Sequence, residues 1–581
     1  MTPLPLRLTA LPLLAVLLLT ACSSGDVDLV AEPTAVPAVH TPAPAPVVVQ
    51  ITDPVERDRI TAALGSAPGI EVTEDVTTAT MGISDLTLID AQQFVLARWA
   101  AITDQRRDVL ELTYDEVVRA LRGEATDWSE FGGSTMPIIP LLPASDADRI
   151  AAALGIVPAD LPATVPDDEL VALVASTPGA LALVQPEDLR IGVLALVVDS
   201  HDPYRDPAND SPLRDARWVT ADSPERAAQL AAIVGLEEVP NFDPAGMIAT
   251  GELIPARCTY EALASLGRLD AMFDGTGDAL ARADVAVSPL EVSLTDRSVP
   301  TPCIETFALQ GPAEAATVFA EAGIDVVITA GNHAMDCWEG CNPTLALLDT
   351  IDNLRNAGLV SAGAGANLEA ARTPALFTVQ TLDGPVSFAF LGYDSIAVAF
   401  YAAGPDSAGT APLETAYLRE DVAAALSLAD HVLVGAGWGV EYTSDPIAFQ
   451  QENALAAIDA GATVVLGNHP HWVQAVEHVP ADQRPAPALG QAPEVSDALI
   501  AYSFGNFVFD QSWSVETTQG MAMELGFTAD RLLGYRIRPV VIYGLPELHR
   551  GLYRPEFVDP ATEGRPILDR IWDAQDRLPE R

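Results

Sequence analysis

Short apolar runs that end in polar residues recur through the second half of this chain. They lie at 245–249, 284–288, 326–330, 429–434 and 464–466, and each reads as a buried strand. They hand over in turn to Gly251-Glu252, Pro289-Leu290-Glu291, Gly331-Asn332-His333, Gly435-Ala436-Gly437-Trp438 and Gly467-Asn468-His469-Pro470-His471. From about 49 to 212 apolar strands alternate instead with amphipathic helices. The helix expected within 112–123 has Thr113 as N-cap, Glu116 at the capping-box position and Gly123 as its stop. Such alternation predicts an α/β protein, in which functional groups gather beyond the carboxyl ends of strands. Glu252, Glu291, Asn332, His333, His469 and His471 are therefore expected on one rim.

The flanking segments suggest export. Residues 1–22 carry Arg7, an apolar run over 11–19 and then Leu19-Thr20-Ala21-Cys22. The run is too short for a stable membrane span, and the pattern resembles a bacterial lipoprotein signal with the lipid on Cys22. The expected product is anchored by lipid to the outer face of the cytoplasmic membrane. Residues 23–48 form a Pro/Ala-rich spacer, extended at roughly 3 Å per residue. The divisions that follow are a first domain at 49–212, a looser Pro-containing connector at 213–244, a second domain at 245–545, and a polar tail at 546–581.

Charge and cysteine content narrow the function classes. The formal net charge is −50, and all 31 basic residues are arginine. That balance excludes nucleic acid and argues against docking on anionic lipid. Beyond Cys22 there are four cysteines, an even number that reads as disulfides in an exported chain. The favoured pairs are Cys258–Cys303 and Cys337–Cys341; a four-thiolate zinc site is the alternative.

Carboxylate, amide oxygen and imidazole on one rim suit one or two divalent ions such as Mn, Fe or Zn. The motifs Gly251-Glu252…Arg257, Pro289-Leu290-Glu291, Gly331-Asn332-His333…Asp336, Gly437-Trp438-Gly439…Glu441-Tyr442, Gly467-Asn468-His469-Pro470-His471 and Tyr502…Asn506…Asp510-Gln511 resemble, in order and spacing, those of the CapA family of poly-γ-glutamate capsule-synthesis proteins. The resemblance implies a calcineurin-like metallophosphatase αββα sandwich. It also implies a first metal on Glu252 and His471 with Glu291 bridging, and a weaker second metal on Asn332 and His469. His333 becomes the proton donor or acceptor, Arg257 the binder of an anionic substrate group, and Asp336 an orienting residue. Trp438, Glu441, Asn506 and Asp510 are expected to line the cleft, with Trp472 and Trp513 completing an apolar wall. Three positions depart from the family pattern: Glu252 replaces aspartate, Pro289 replaces asparagine, and Gly437 replaces a histidine that implies a ligand to the second metal.

Residues 100–200 resemble phosphate-type solute-binding proteins, which hold anions on loops at helix N-termini. The matching loop, Pro143-Ala-Ser-Asp-Ala-Asp-Arg149, is acidic, so a degenerate smaller periplasmic-binding-protein-like domain is expected. The leading functional expectation is a surface-anchored protein for synthesis, export or processing of an envelope polymer, acting as a metal-dependent hydrolase, with the polymer or its machinery as partner. The alternatives are a catalytically decayed binding or assembly subunit of an export system, and solute capture by the first domain.

Overall fold

The computed structural model of the chain describes residues 47–51, 70–73, 81–84, 91–157, 161–221, 223–484, 496–544 and 552–579. Cys22 and most of the expected spacer lie outside the described residues.

The second domain is built on two sheets. Its strands, in chain order, are β1 (Ala245–Ala249), β2 (Val285–Pro289), β3 (Val326–Ile328), β4 (Val360–Ala362), β5 (Ala375–Thr381), β6 (Gly384–Asp394), β7 (His431–Gly437), β8 (Val464–Asn468), β9 (Val476–Val479), β10 (Ala498–Ala501), β11 (Gln519–Phe527), β12 (Leu532–Tyr543) and β13 (Arg554–Phe557). One sheet runs β4-β3-β2-β1-β11-β12-β13 and the other β5-β6-β7-β8-β10-β9. Strands β1 to β4 are parallel, as are β6, β7, β8 and β10, while the remaining pairings are antiparallel.

Alternate side chains of each strand face different cores. Met247, Val287, Phe388, Phe390, Leu433, Val464 and Leu466 meet between the sheets. Their neighbours Ile248, Ala286 and Val327 turn outward onto Leu263, Phe319 and Leu354 of three covering helices. On the other side Ala389, Leu391, Val432, Val434 and Val465 meet Leu418, Val422, Ala457 and Ile458. Both faces of both sheets are covered, which is why the strands read as continuous apolar runs rather than alternating ones. The result is an αββα sandwich, the architecture expected from the sequence.

Two expected boundaries are corrected. The stretch 213–244 is no loose connector: Arg214–Thr220 is a strand paired with Gln92–Arg98 and Met81–Ser84, and a helix at Pro224–Ile233 follows, capped by Ser223. Pro224 takes the first position of the helix, where it is tolerated, and Pro240 and Pro244 follow the helix. The expected tail at 546–581 is also structural over its described residues, 552–579. It supplies β13, and its helix Arg565–Asp576 places Ile567, Leu568, Ile571 and Trp572 in the core between the sheets.

The first domain carries two five-stranded sheets and joins the sandwich at the start of β1 and the β11–β12 turn. Arg536, 1% exposed, donates to both carboxylate oxygens of Asp202 (2.9 and 3.1 Å), to Glu524 (2.7 Å) and to the carbonyl of Ala195 (2.8 Å). Tyr204 packs against Gly526 and Gly534, leaving no room for a side chain at either glycine. This junction is at the opposite end of β1 from Glu252. Arg536→Met would strand Asp202 as a buried, unpaired charge. We expect a loss of about 3–5 kcal/mol in urea unfolding at pH 7; a change below about 1 kcal/mol would show that the pair is solvated.

Candidate metal centre

The rim forms because the carboxyl ends of β1, β2 and β3 in one sheet face those of β6, β7 and β8 in the other. Past β1, Glu252 is pinned where Glu252–Leu253 pairs with Asn506–Val508. Past β2 stands Glu291, whose carboxylate occupies the space a Cβ on Gly331 would need. Asn332 and His333 follow β3, Asn468 ends β8, and His469 and His471 come next. Both histidines are left-handed, with φ of 93° and 60°, at a cost of order 1–3 kcal/mol each. They are held by the His469 N–H donating to Glu252 Oε1 at 2.5 Å and by Tyr442 N–H donating to Pro470 O at 2.9 Å.

Glu252 and Glu291 are 0% and 1% exposed, and each keeps one oxygen, Oε2, without a hydrogen bond. Asn468 donates to Glu291 Oε1 at 2.6 Å, but its own buried Oδ1 is also unpartnered. Glu252 Oε2 is 2.8 Å from His471 Nδ1, an ion pair when the ring is protonated. The same ring nitrogen faces Asn506 Oδ1 at 2.9 Å, and His469 Nδ1 faces Asn332 Oδ1 at 3.1 Å. With oxygens opposite both Nδ1 atoms, each ring carries a proton there, and Nε2 is the lone-pair nitrogen of its neutral form.

Burial and neighbouring charge set the ionisation pattern. Burial, then the charges of Glu252 and Asp394, push Glu291 well above the usual carboxylate range. Burial pushes Glu252 up too, but the His471 ring and the His469 N–H outweigh it and hold its carboxyl low. Burial, then the neighbouring His471, lowers His469 to about 4. His471 is raised, the Glu252 charge overcoming the effect of burial.

Buried oxygens without donors are costly, and carboxylate oxygens with an amide oxygen are the donor set of a hard or borderline divalent cation. Among the described residues no three Asp, Glu, His or Cys side chains are gathered tightly enough to hold an ion. Glu252 and Glu291 therefore need an amide, that of Asn468 or Asn332, to complete a set. Oxygen predominates, which favours Mn over Zn among the expected metals.

His333 stands beside this set. Its Nδ1 is 2.7 Å from Asp336 Oδ2, and Asp336 is fixed by Leu309 N–H (2.6 Å) and the Tyr401 hydroxyl (2.9 Å). Asp336 thus fixes the orientation of the His333 ring. Other expectations are corrected. Arg257 is paired with Asp510 through two guanidinium nitrogens, donates to Thr306 O and lies over Phe509, so neither Arg257 nor Asp510 is presented to a substrate. Trp438, 1% exposed, donates to Tyr502 O and belongs to the core. Asn506 is buried as the partner of His471 rather than open to the cleft. Trp513 is exposed at the mouth, edge-on to Tyr442, which stacks on His471; Glu441 is exposed next to it. Cys258 is bonded to Cys303 and Cys337 to Cys341. Asn468 and Asp394 went unassigned in the sequence, although each is a polar residue ending an apolar run.

In the metal-free protein His469 should stay neutral down to about pH 4 while His471 keeps its proton above the ordinary histidine value. Below pH 6.5 the unfolded chain takes up a proton that the folded His469 refuses, so this residue erodes stability as pH falls towards 4. Ring NMR of histidine-labelled protein checks this; identical titrations near 6.5 would contradict it.

The family model described as "Bacterial capsule synthesis protein PGA_cap" matches residues 246–511. "PGA biosynthesis protein CapA" of Bacillus subtilis (strain 168) is 31% identical over 206 residues, covering 36% of this chain and 48% of that protein. "Capsule biosynthesis protein CapA" of Bacillus anthracis is 28% identical over 274 residues, covering 46% and 60%. The chain thus spans about half the length of these relatives. A 5'-nucleotidase precursor from Thermus thermophilus superposes with a TM-score of 0.29 at 14% identity, over 58% of this chain and 60% of that one. Every motif of the rim lies inside the span that is similar to the PGA_cap capsule-synthesis family model, residues 246–511.

Proposed function

We propose that this chain serves the synthesis, export or processing of a capsule-type envelope polymer, and that its second domain does so as a metal-dependent hydrolase. The observation that carries the catalytic part is the pair of unpartnered buried oxygens on Glu291 and Asn468, next to Glu252 and the oriented His333–Asp336 pair. The names of the two CapA relatives support the polymer. The lipid anchor at Cys22 belongs to the same proposal.

Glu252, Glu291 and Asn468 would hold the ion, with His469, His471 and Asn332 at its border. When bound, a divalent ion supplies Lewis-acid polarisation of a phosphoryl or carbonyl oxygen and a more acidic water. Asp336 keeps the His333 proton on Nδ1, so Nε2 is the atom that takes a proton from the attacking water or delivers one to the leaving group. Tyr442 and Trp513 flank the entrance as an aromatic edge. With Arg257 committed to Asp510, an anionic substrate finds no arginine in that loop. A polyanion approaching a surface at −50 would meet it through bound cations.

A second reading, a decayed site in a binding or assembly subunit, is favoured by Gly437 and Pro289 and by the lack of a compact His/Asp/Glu set among the described residues. One comparison separates the two. With Mn²⁺ supplied, the wild type should cleave a phosphodiester or a γ-glutamyl amide. His333→Ala should lower kcat by about 10²–10⁴-fold while bound metal and melting temperature stay unchanged. A metal-loaded wild type inert on both substrate classes, and indistinguishable from His333→Ala, would favour the assembly role.

A further inference from the structure

At the junction of the two domains, away from the rim, lies a cavity of about 260 Å³. Glu111, Ser200 and Asp202 of the first domain wall it on one side, and Arg282, Arg536 and Arg538 of the second on the other. A neighbouring cavity of about 330 Å³ shares Leu110, Glu111 and Arg538 with it. Much of the charge in the wall is paired internally. Arg536 is taken up by Asp202 and Glu524. Arg205, also in the wall, gives Nε and Nη2 to Asp206 at 2.8 and 3.0 Å. Arg538 gives only Nη1, to Glu524 at 3.2 Å, and its other nitrogens make no hydrogen bond among the described residues. Arg282, which ends the helix Gly277–Arg282, and Glu111, in the short strand Glu111–Leu112, have no hydrogen bond or ion pair with any described residue. They line one cavity and do not pair with each other. The Ser200 hydroxyl has no partner among the described residues either.

We propose that this cavity binds a zwitterion of amino-acid type, a free α-amino acid or a short peptide, with its carboxylate on Arg282 and Arg538 and its ammonium on Glu111. Charge balance selects the class. Arg205, Arg282, Arg536 and Arg538 face Glu111, Asp202, Asp206 and Glu524, so net charge favours neither a simple anion nor a simple cation. Once the internal pairs are formed, one guanidinium and one carboxylate are left over, on opposite domains. A ligand carrying both signs satisfies both and bridges the domains, through charge-assisted hydrogen bonds at each end. Size agrees: sites for drug-sized ligands span roughly 300–1,000 Å³, so 260 Å³ suits a smaller molecule, and the adjoining cavity leaves room for a second residue. The wall also contains backbone strain. Asp199 and Ser200 are both left-handed, with φ of 48° and 71°, an arrangement that costs free energy in residues other than glycine and gathers at ligand sites. It is held by Asp199 N–H donating to Leu112 O and by Tyr114 N–H donating to Asp199 Oδ1, both at 3.1 Å, and it sets Ser200 in the cavity wall.

The competing role is that of two exposed charges served by water alone. Calorimetry on the full chain separates the two, with EDTA present so that the outcome does not depend on the rim. The probes are L-glutamine, L-alanyl-L-glutamine, and the N-acetyl and C-terminal amide forms of the dipeptide, each of which keeps one charge only. We expect a zwitterion to bind, the amino acid and the dipeptide distinguishing the two sources of this chemistry, and each one-charge form to bind at least about 10-fold more weakly. Arg282→Gln and Glu111→Gln should each weaken binding by about 10–100-fold, with melting temperature unchanged because both side chains are exposed. No binding of either zwitterion at millimolar concentration, or wild-type affinity in both variants, would overturn the proposal. An N-acetyl form that binds as well as the dipeptide, with Glu111→Gln unimpaired, would overturn it too, by marking a site for anions alone.

Discussion

Mutual repulsion among buried carboxylates is the constraint around which the rest of this structure is arranged. Glu252, Glu291 and Asp394 are all withdrawn from water at the meeting edge of two sheets. Near-complete burial would ordinarily drive such groups to take up protons, and Glu291 shows that response. Glu252 does not, because the raised His471 compensates it. The left-handed histidines, the glycine that makes way for Glu291, and the amides of Asn332, Asn468 and Asn506 all serve to hold these oxygens in place. Together they form the cage for which a cation is the proposed occupant.

The sandwich explains how residues more than two hundred positions apart arrive there. Parallel strands in each sheet deliver their following loops to the same edge, and the core between the sheets, closed by Trp572 of the last helix, fixes their separation. The first domain attaches at the other end of β1, through Arg536 and Asp202. It leaves the entrance beside Tyr442 and Trp513 to the second domain. Its own acidic loop is internally engaged: Ser145 bonds to Asp167, and Asp146 accepts from Trp99 and Gln185. An anion would find these donors already taken.

Much of this was legible in the chain. Apolar runs ending in polar residues located the strands, and the rule that function lies beyond strand ends located Glu252, Glu291, Asn332, His333, His469 and His471. What escaped depended on long-range partners. Arg257 reads as a free cation until Asp510, 253 residues later, is seen beside it. Trp438 reads as a cleft aromatic until its ring nitrogen is found donating to Tyr502 O. Asp394 ends an apolar run like the others, but its place across the ladder from Gly437 comes only from the fold. The segments at 213–244 and 546–581 looked loose because prolines and polar residues dilute their apolar periodicity, whereas pairing with distant strands orders both.

The most direct measurement is anomalous scattering from crystals of the chain grown with Mn²⁺, collected at the manganese edge. The expected result is at least one strong peak within bonding distance of both Glu252 and Glu291, with Asn468 or Asn332 completing the set. A map without a peak there at saturating Mn²⁺, with the carboxylates instead satisfied by water or each other through shared protons, would contradict the claim that this buried oxygen cluster exists to hold a cation.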